Sequence, residues 1–531
     1  MDNAEIADRL DAFAALLELA DANPYTTRAY HRAAEMIRGA AMPVADLVTA
    51  GRVRELRGIG PSIEARLKEL VATGGIAELE QLERELAPSL IGFGRYLGLS
   101  AKRSMEIATA LGVRTADELR AAAAAGRLRG VPGIGPKTEA QILDALAREG
   151  ERQPQRALLL TAAGDLVRGI ADALGGEVAG DVRRWRDACE RLAVVSTTSA
   201  LDRFAALPQI VAVIEQSERR ALGVTVEGVP VELVVAEPGR FGTEMVRATG
   251  SPAYVAALEP LPDGADEEAV YAALGIPWCP PELREQPFKG EPPPLLELEH
   301  IRGDLHCHTT WSDGRASVEE MGRAAQELGY EYVAICDHTP AVGAVQGLTP
   351  DDVRRQAEEI AAANEVLKPF RILRGIECDI LPDGRLDLPD DVLAELDWVQ
   401  ASVHGGQRMP RREMTKRVEE ALRNPYVSCL SHPTGRIITR RPENAVDLDR
   451  IYEVALERGV ALEVNGLAPR LDLSGEHVRD AIAAGVRIVC STDAHSPRGL
   501  GNMTLAVHTA RRGWATSANV LNTRPLAEIL G

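Results

Sequence analysis

The sequence predicts a multidomain chain of the α plus α/β class, with a helical region first, a mixed region second and a repeated β/α region last. Three observations predict this class. Apolar residues recur at helical spacing through the first 150 residues, short apolar runs separate helical patterns in residues 151–290, and apolar runs alternate with helical patterns from residue 301 onward. A chain of 531 residues exceeds what one hydrophobic core supports, so about three or four domains are expected.

The first region contains two similar segments, residues 56–65 and 131–140, each with a Gly-Ile-Gly turn directly before an amphipathic helix. They resemble helix-hairpin-helix motifs, in which glycine permits the tight turn and N–H groups at the helix start hold a DNA phosphate without reading sequence. The alternative is an ordinary glycine turn between two helices. The candidate DNA contacts are Gly58, Gly60, Ser62, Gly133, Gly135 and Lys137.

The middle region changes character, because short apolar runs resembling strands replace the helical spacing. These runs are residues 192–195, 210–214 and 231–235. A proline-rich stretch between Pro277 and Pro294 closes the region and predicts a linker.

In the last region, six apolar runs alternate with helical patterns, which favours a parallel barrel or a parallel sheet. The runs are residues 332–335, 371–373, 398–401, 427–430, 461–464 and 487–490. In a barrel, the carboxyl ends of the strands converge on one face, so residues that follow the strands would meet in one pocket.

Residues able to bind metal follow almost every one of these runs. They are His306, His308, Asp313, His338, Glu377, His404, His432, Asp493 and His495, with Asp337 beside His338. Nine ligands are more than one ion needs, so we expect two or three divalent metals. A histidine-rich set with carboxylates suits Zn, Mn or Fe rather than Mg alone. Structural histidines are the alternative, and we assign His300, His477 and His508 to that class.

Composition narrows the class of protein further. The net charge of −19 argues against indiscriminate coating of nucleic acid, although local basic patches remain compatible with it. The chain contains neither a membrane-length apolar run nor a signal-peptide pattern, which predicts a cytoplasmic protein without a membrane partner. Seven cysteines without a CxxC pair predict no disulfide framework, and the five after residue 300 are expected to be small apolar fillers.

Seven segments of the last region resemble the polymerase and histidinol phosphatase (PHP) domain, in order and with no ligand missing. They are residues 304–308, 312–314, 337–338, 375–377, 402–404, 431–436 and 491–495. The resemblance implies a distorted (β/α)7 barrel with a trinuclear site. It assigns His306, His308, Glu377 and Asp493 to one metal and to catalysis. A second metal takes Glu377, His404 and His432, and a third takes Asp313, His338 and His495. By analogy, Arg436 would bind a phosphate oxygen.

Together, the two regions resemble bacterial family X DNA polymerases that carry a C-terminal PHP domain. Residues 242–243, 249–251 and 271–283 extend the likeness through the thumb region. The resemblance implies a lyase-like domain (1–78), a fingers-like domain (79–150), a nucleotidyltransferase-like mixed palm (151–235), a thumb-like region (236–290), a linker (291–300) and the PHP domain (301–531).

The nucleotidyl-transfer motif departs from the family. Asp181 stands at the phosphate-binding serine, Arg191 and Ala193 stand at the two aspartates that would hold Mg²⁺, and only Glu232 keeps the third carboxylate. Loss of two metal ligands predicts a palm without Mg²⁺ and without polymerase activity. Arg66 replaces the lyase lysine, and arginine cannot act as an amine nucleophile.

We therefore predict a DNA-binding, family X-like protein of DNA repair whose PHP domain hydrolyses DNA phosphodiesters as a metal-dependent 3′-5′ exonuclease or 3′-end-processing enzyme. The expected partner is gapped or 3′-ended DNA, contacted through its backbone; the sequence does not determine the oligomeric state. The alternatives are an active gap-filling polymerase with an exonuclease, a small-molecule phosphatase of the histidinol-phosphate kind, and a non-catalytic DNA-binding scaffold.

Overall fold

The structure is a computed structural model that describes residues 1, 3–19, 23–38, 43–56, 58–86, 94, 99, 101–147, 157–198, 200–343 and 345–530. The chain divides into two compact units. Unit 1 comprises residues 1–157, 166–177 and 190–236, and unit 2 comprises residues 158–165, 178–189 and 237–531. Each unit is described separately below.

Unit 1 begins with helices, as the apolar spacing predicts. They are Asn3–Leu19, Pro24–Arg38, Val44–Thr49, Pro61–Thr73, Ala77–Leu86, Ala101–Leu111, Ala116–Ala124 and Pro136–Ala147. Leu10 and Phe13 from the first helix are buried in one core with Leu67 and Leu70 from the helix that follows the first glycine turn. The first helix-hairpin-helix segment is therefore part of the core of the N-terminal helical region.

Both Gly-Ile-Gly turns adopt the backbone conformation for which glycine is needed. Gly58 has φ +98° and Gly133 has φ +75°, values that side-chain-bearing residues rarely adopt. Gly60 precedes the helix Pro61–Thr73, whose first residue is a proline. The Ser62 hydroxyl lies 3.0 Å from the Tyr30 hydroxyl. The side chain of Lys137 lies outside the described part of the structure.

The middle region forms a five-stranded sheet in the order β2-β4-β7-β6-β5. Its strands are β2 (Gly176–Ala179), β4 (Leu192–Ser196), β5 (Ile210–Gln216), β6 (Arg220–Thr225) and β7 (Pro230–Val235). β4 and β7 are parallel, whereas β6 is antiparallel to both of its neighbours. The three predicted strands are present, and β6 is a strand that the apolar runs did not reveal. Helices Leu160–Leu174 and Leu201–Ala205 accompany the sheet.

Unit 2 opens with the strand pair β1 (Leu158–Leu159) and β3 (Ala188–Cys189), with helix Gly180–Arg183 nearby in sequence. Helices Phe241–Thr249, Pro252–Leu258 and Glu267–Leu274 follow. The proline-rich stretch is irregular, as expected of a linker, but part of it packs into a hydrophobic cluster. Cys279 and Leu283 are buried in an apolar cluster, and Arg284 is fully buried. Exposed residues of this stretch occur on both sides of the buried cluster, at 277–278, 286–287 and 289–291.

A barrel of seven parallel strands forms the rest of unit 2. The strands are β8 (Gly303–Cys307), β9 (Tyr332–Ile335), β10 (Arg371–Asp379), β11 (Trp398–Ser402), β12 (Cys429–Leu430), β13 (Ala461–Asn465) and β14 (Ile488–Ser491). They hydrogen-bond in sequence order, and a parallel bridge between Cys307 and Ala494 brings the two ends together. The predicted (β/α)7 fold is thereby confirmed.

Helices follow the strands of the barrel, six of them between strands and two after the last strand. They are Val318–Glu327, Pro350–Leu367, Asp390–Leu393, Arg411–Leu422, Leu448–Arg458, Gly475–Ala483, Met503–Arg512 and Leu526–Ile529. Apolar side chains on their inner faces, such as Met414, Ile451 and Val507, pack with the outward side chains of the strands. Within the described residues, we find no helix with both the length and the apolar character needed to span a membrane.

Candidate metal centre in the barrel

The strand ends of the barrel bring all nine predicted ligands into one place. His306 lies in β8 and His308 directly follows it, Glu377 lies near the end of β10, and His404, His432 and Asp493 each follow a strand by two residues. The side chains of His306, His308, Glu377, His432 and Asp493 are almost completely buried. Residues separated by up to about 190 positions in sequence thus share one polar pocket.

The first group consists of His306, His308, Glu377 and Asp493. The Nε2 atoms of His306 and His308 lie 3.2 Å apart, and His308 Nε2 lies 3.1 Å from Asp493 Oδ1. Glu377 Oε2 lies 3.5 Å from His306 Nε2 and 3.7 Å from His308 Nε2. Ligands at about 2.0–2.1 Å from a tetrahedral ion are separated from each other by about 3.4 Å. The spacing of the His306, His308 and Asp493 atoms is therefore compatible with ligands around one ion, and Glu377 contacts both histidines of this group.

The second group uses the other oxygen of Glu377. Its Oε1 lies 2.8 Å from His432 Nε2 and 3.4 Å from His404 Nε2. The third group contains Asp313, whose Oδ1 lies 3.6 Å from His338 Nε2 and whose Oδ2 lies 3.2 Å from His495 Nε2. Glu377 therefore faces the first group with one oxygen and the second with the other, as a bridging carboxylate does.

The protonation pattern that these contacts impose also fits metal binding. His306 uses Nδ1 toward Glu463 at 2.6 Å, which leaves Nε2 as the nitrogen that faces the other ligands. The Nδ1 atom of His308 is buried without a hydrogen-bond partner among the described residues, and it faces the third group at 3.8 Å from Asp313 Oδ1. A buried polar atom without a partner is costly, and a cation would satisfy it. The residues present thus fit divalent metal ions.

A buried carboxylate that the sequence did not identify as functional supports the first group. Glu463 lies in the centre of β13 and is fully buried. Besides contacting His306, it accepts hydrogen bonds from the backbone N–H of His432 at 2.6 Å and from the Ser431 hydroxyl at 2.9 Å. A charged residue inside an otherwise apolar strand was the signal that could have revealed it. Asp379 contacts His404 as Glu463 contacts His306: its Oδ2 atom lies 3.2 Å from Nδ1 of His404.

Asp337 lies next to the ligand His338 in sequence. Its carboxylate stabilises a loop by hydrogen bonding. It accepts hydrogen bonds from the backbone N–H of Thr309 at 2.8 Å and from Gln356 at 2.7 Å. Asp304 acts in a similar way, because its carboxylate accepts hydrogen bonds from the backbone N–H and the hydroxyl of Thr492. Asp493 itself has φ +51°, a sparsely populated conformation for a non-glycine residue, so the surrounding bonds hold this ligand in place.

The charges of the site shift the pKa values of its histidines in opposite directions. Burial, together with the neighbouring His338 and His495, lowers the pKa of His308 to about 4. Burial alone would lower the pKa of His404, but Glu377 and Asp379 raise it to about 9. Burial would likewise raise the pKa of Glu377, but His404, His338 and His306 hold it well below its usual value. Cations that bind here must displace protons from the raised histidines, so binding is expected to weaken at low pH.

Seven of the nine predicted ligands, all except His306 and His308, line a cavity of about 210 Å³. Val342, Val345, Leu467 and Arg470 complete its wall. Arg436, the predicted phosphate contact, is not among these lining residues. Its guanidinium instead donates to the carbonyls of Arg470, at 2.9 Å, and Leu471, and it pairs with Asp187 at 2.8 Å.

The predicted polymerase positions carry few groups that could hold Mg²⁺. Ala193 on β4 pairs in register with Glu232 on β7, so these two positions are neighbours. The Glu232 carboxylate accepts from Arg220 at 2.8 Å, and Arg191 is exposed just before β4. In unit 2, Asp181 is buried and pairs with Arg184. Arg66, at the lyase position, pairs with Glu69 at 3.0 Å and with Glu78.

A seven-stranded parallel barrel whose strand ends gather this set of histidines and carboxylates defines a PHP-type, metal-dependent phosphoesterase. The PHP domain family matches residues 304–466. In unit 1, the helix-hairpin-helix domain family matches residues 1–76, and the SAM-like helix-hairpin-helix tandem family matches residues 97–148.

Relatives extend this class to the whole chain. The DNA polymerase/3′-5′ exonuclease PolX of Bacillus subtilis is 34% identical, over 100% of this chain and 99% of the relative. A probable phosphatase of Acetivibrio thermocellus is 33% identical over 36% of this chain and 78% of its own length. A probable phosphatase of Thermoanaerobacter sp. is 28% identical over 41% and 89%. The chain belongs to the PolX family, the bacterial family X polymerases with a PHP domain.

Proposed function

We propose that this protein binds DNA ends through its N-terminal helical region and hydrolyses the 3′-terminal phosphodiester in the PHP barrel, without template-directed synthesis. The observation that carries the proposal is the convergence of nine histidine and carboxylate side chains at the strand ends of the barrel, where seven of them line one cavity. The name of the Bacillus subtilis relative includes a 3′-5′ exonuclease, which agrees with hydrolysis at a 3′ end. DNA repair in the cytoplasm is the setting we propose for this activity.

We propose that two or three divalent ions of Zn, Mn or Fe occupy the site, because imidazole and carboxylate ligands together suit these metals. His306, His308, Glu377 and Asp493 would hold the first ion, Glu377, His404 and His432 the second, and Asp313, His338 and His495 the third. Such ions, when bound, lower the pKa of a coordinated water to about 7 and stabilise charge on phosphate oxygens.

The side chains of the chain itself organise this chemistry. Glu463 holds the His306 ring so that Nε2 faces His308 and Glu377, and Asp379 holds the ring of His404 in the same way. Glu377 presents its two oxygens to different groups, which fixes the spacing between them. Val342, Val345 and Leu467 form an apolar part of the cavity wall.

DNA binding is attributed to the two Gly-Ile-Gly turns. Their N–H groups lie at the starts of the helices Pro61–Thr73 and Pro136–Ala147, where a phosphate can be held without sequence recognition. Gly58, Gly60, Ser62, Gly133, Gly135 and Lys137 are the proposed contacts. Binding of this kind raises the concentration of a DNA end near a linked active site.

The loss of polymerase activity rests on the palm positions. Ala193 offers no ligand, Arg191 brings a positive charge and the Glu232 carboxylate is paired with Arg220. A second candidate function is hydrolysis of small phosphomonoesters, favoured by the probable phosphatases that match the barrel. The helix-hairpin-helix regions favour DNA as the substrate.

The proposal is tested with a 5′-labelled primer on a gapped template and Mn²⁺, with and without dNTPs. The wild-type chain should shorten the primer in both conditions, and Asp493→Ala should not. Asp351→Ala, a change at an exposed carboxylate, is the matched control and should behave as wild type. Primer lengthening with dNTPs would show an active polymerase. Release of phosphate from small monoesters without DNA cleavage would favour the second candidate.

A further inference from the structure

We propose that Arg417 is a positioning residue that keeps the second metal group assembled, because it fixes the two loops that carry Asp379 and His404. The inference deepens the proposed function and rests on its assignment of a metal ion to His404. Arg417 lies in the helix Arg411–Leu422, which follows β11. The sequence patterns did not single it out.

Arg417 is a buried arginine whose charge is not matched by an ion pair. It is 3% exposed, and among the described residues no carboxylate forms an ion pair with it. Burial of a guanidinium without such a partner is costly, so its hydrogen bonds must compensate. Burial lowers the pKa of Arg417, and the charge of Asp379 acts in the opposite direction. The hydrogen bonds of Arg417 therefore decide what this side chain contributes.

The guanidinium donates to backbone carbonyls of two different loops. Its Nε atom donates to Ile380 at 3.1 Å and to Leu381 at 3.0 Å, and Nη2 also donates to Ile380. Its Nη1 atom donates to Gly405 at 2.7 Å. Because a planar guanidinium holds its donors in a fixed geometry, these bonds set the spacing between the two loops.

Each loop is held one residue beyond a side chain that builds the second metal group. Ile380 follows Asp379, the last residue of β10, and Gly405 follows His404. The Asp379 carboxylate accepts from the backbone N–H of His404 at 3.4 Å and lies 3.2 Å from its Nδ1 atom. The other ring nitrogen of His404 lies 3.4 Å from Glu377 Oε1. Arg417 thus fixes the loop spacing on which the orientation of the His404 ring depends.

The space around the guanidinium is closely filled. Gly406 has φ +69°, and a Cβ atom at this position would lie 3.0 Å from Nη1 of Arg417. The Sδ atom of Met409 lies 3.6 Å from the same nitrogen. A lysine at position 417 would present its donors from one nitrogen instead of a planar fork, so it should not reproduce the bonds to both loops.

The test counts the Mn²⁺ ions that the full-length protein binds, from the electron paramagnetic resonance signal of the free ion during a titration. Arg417→Met keeps an unbranched side chain but removes every donor. It should weaken the binding of one ion about 10-fold or more, as loss of a group that orients a metal ligand does, and leave the other ions at wild-type affinity. Excess Mn²⁺ should restore the full count. Arg412→Met, at an exposed arginine of the same helix, is the matched control.

Two further variants separate positioning from general destabilisation. Val418→Ala, at a buried neighbour in the same helix, should lower the unfolding midpoint and keep every ion. His404→Ala should lose the ion that Arg417→Met binds weakly. The double variant should therefore bind as many ions as His404→Ala alone, because both changes act on one site.

Three outcomes would overturn the inference. They are wild-type affinity for every ion in Arg417→Met, an equal loss of Mn²⁺ in Val418→Ala, and a further loss in the double variant beyond that of His404→Ala. Cleavage of the labelled primer is measured in parallel. If the wild type binds Mn²⁺ but leaves the DNA intact, the proposed function fails, and weakened binding of one ion in Arg417→Met would still support the inference. A wild-type chain that binds no Mn²⁺ would overturn both.

Discussion

The Oε1 atom of Glu463 lies 2.6 Å from Nδ1 of His306, although 157 positions separate the two residues. Both side chains are fully buried. The contact engages Nδ1 and leaves Nε2 directed at His308 and Asp493. A carboxylate behind a metal-binding histidine fixes the tautomer and the ring orientation, and it raises the basicity of the ligand.

Replacement of Glu463 by glutamine should therefore weaken metal binding without removing a ligand. We expect a loss of about 10–100-fold in metal affinity, the range typical of such partners, and recovery of activity in excess Mn²⁺. Titration against a competing chelator measures the affinity. Glu457→Gln, at an exposed glutamate, should leave it unchanged. Equal affinities in wild type and Glu463→Gln would contradict the orienting role.

The turn that carries Asp313 depends on the absence of a side chain at Gly314. A Cβ atom at position 314 would lie 2.6 Å from the backbone of His308. This distance is shorter than a normal contact, so the backbone would have to move. Gly314→Ala should displace Asp313 and reduce the metal bound per chain, as measured by elemental analysis. Gly501→Ala is the control, because a Cβ atom at Gly501 meets open space. Full metal content in Gly314→Ala would exclude the turn as a determinant of the third group.

The acid stability of unit 2 should depend on Glu267. Burial alone would raise the pKa of this carboxyl, but Arg183 and Arg284 lower it to about 2 from an ordinary 4.5. A lowered pKa adds stability that is present above about pH 4.5 and is lost as the pH falls toward 2. The contribution of Glu267 to the free energy of unfolding is on the order of 3 kcal/mol.

Urea unfolding between pH 6 and 3 tests this dependence. Glu267→Gln should be less stable than wild type near pH 6, because the buried Arg284 and the partly buried Arg183 lose their charged partner. The gap between the two proteins should narrow as the pH falls. Glu268→Gln, at the exposed neighbour, should follow the wild-type curve. A gap that stays constant with pH would contradict the lowered pKa.

The thiols should be inert in the folded protein. All seven cysteines are free and buried, and burial raises the pKa of the Cys307, Cys336, Cys429 and Cys490 thiols. Since the thiolate is the reactive form, an aromatic disulfide reagent should label none of them in the native state and all of them in denaturant. Fast labelling of one thiol in the native protein would identify a locally open region.

Much of the barrel and its ligands followed from the sequence, because both depend on local patterns. Apolar runs of strand length alternate with helices, and a ligand residue follows the strand by a few positions in most repeats. Parallel strands in a barrel place their carboxyl ends on one face, so this order alone implied that His306, His404 and Asp493 meet. The two glycine turns were also predictable, since Gly58 and Gly133 take conformations that few other residues allow. The assignment of each ligand to a particular metal is still a prediction.

The tertiary structure decided the partners of these residues. Sequence spacing does not reveal which carboxylate stands behind which histidine, so Glu463 looked like part of a strand until β13 was placed beside the first group. Sequence spacing also does not distinguish the contacts of two arginines near the same loop. Arg436 turns toward backbone carbonyls and Asp187, whereas Arg470 faces the cavity. Contacts of this kind depend on how strands far apart in sequence are brought together, and local patterns carry no record of that.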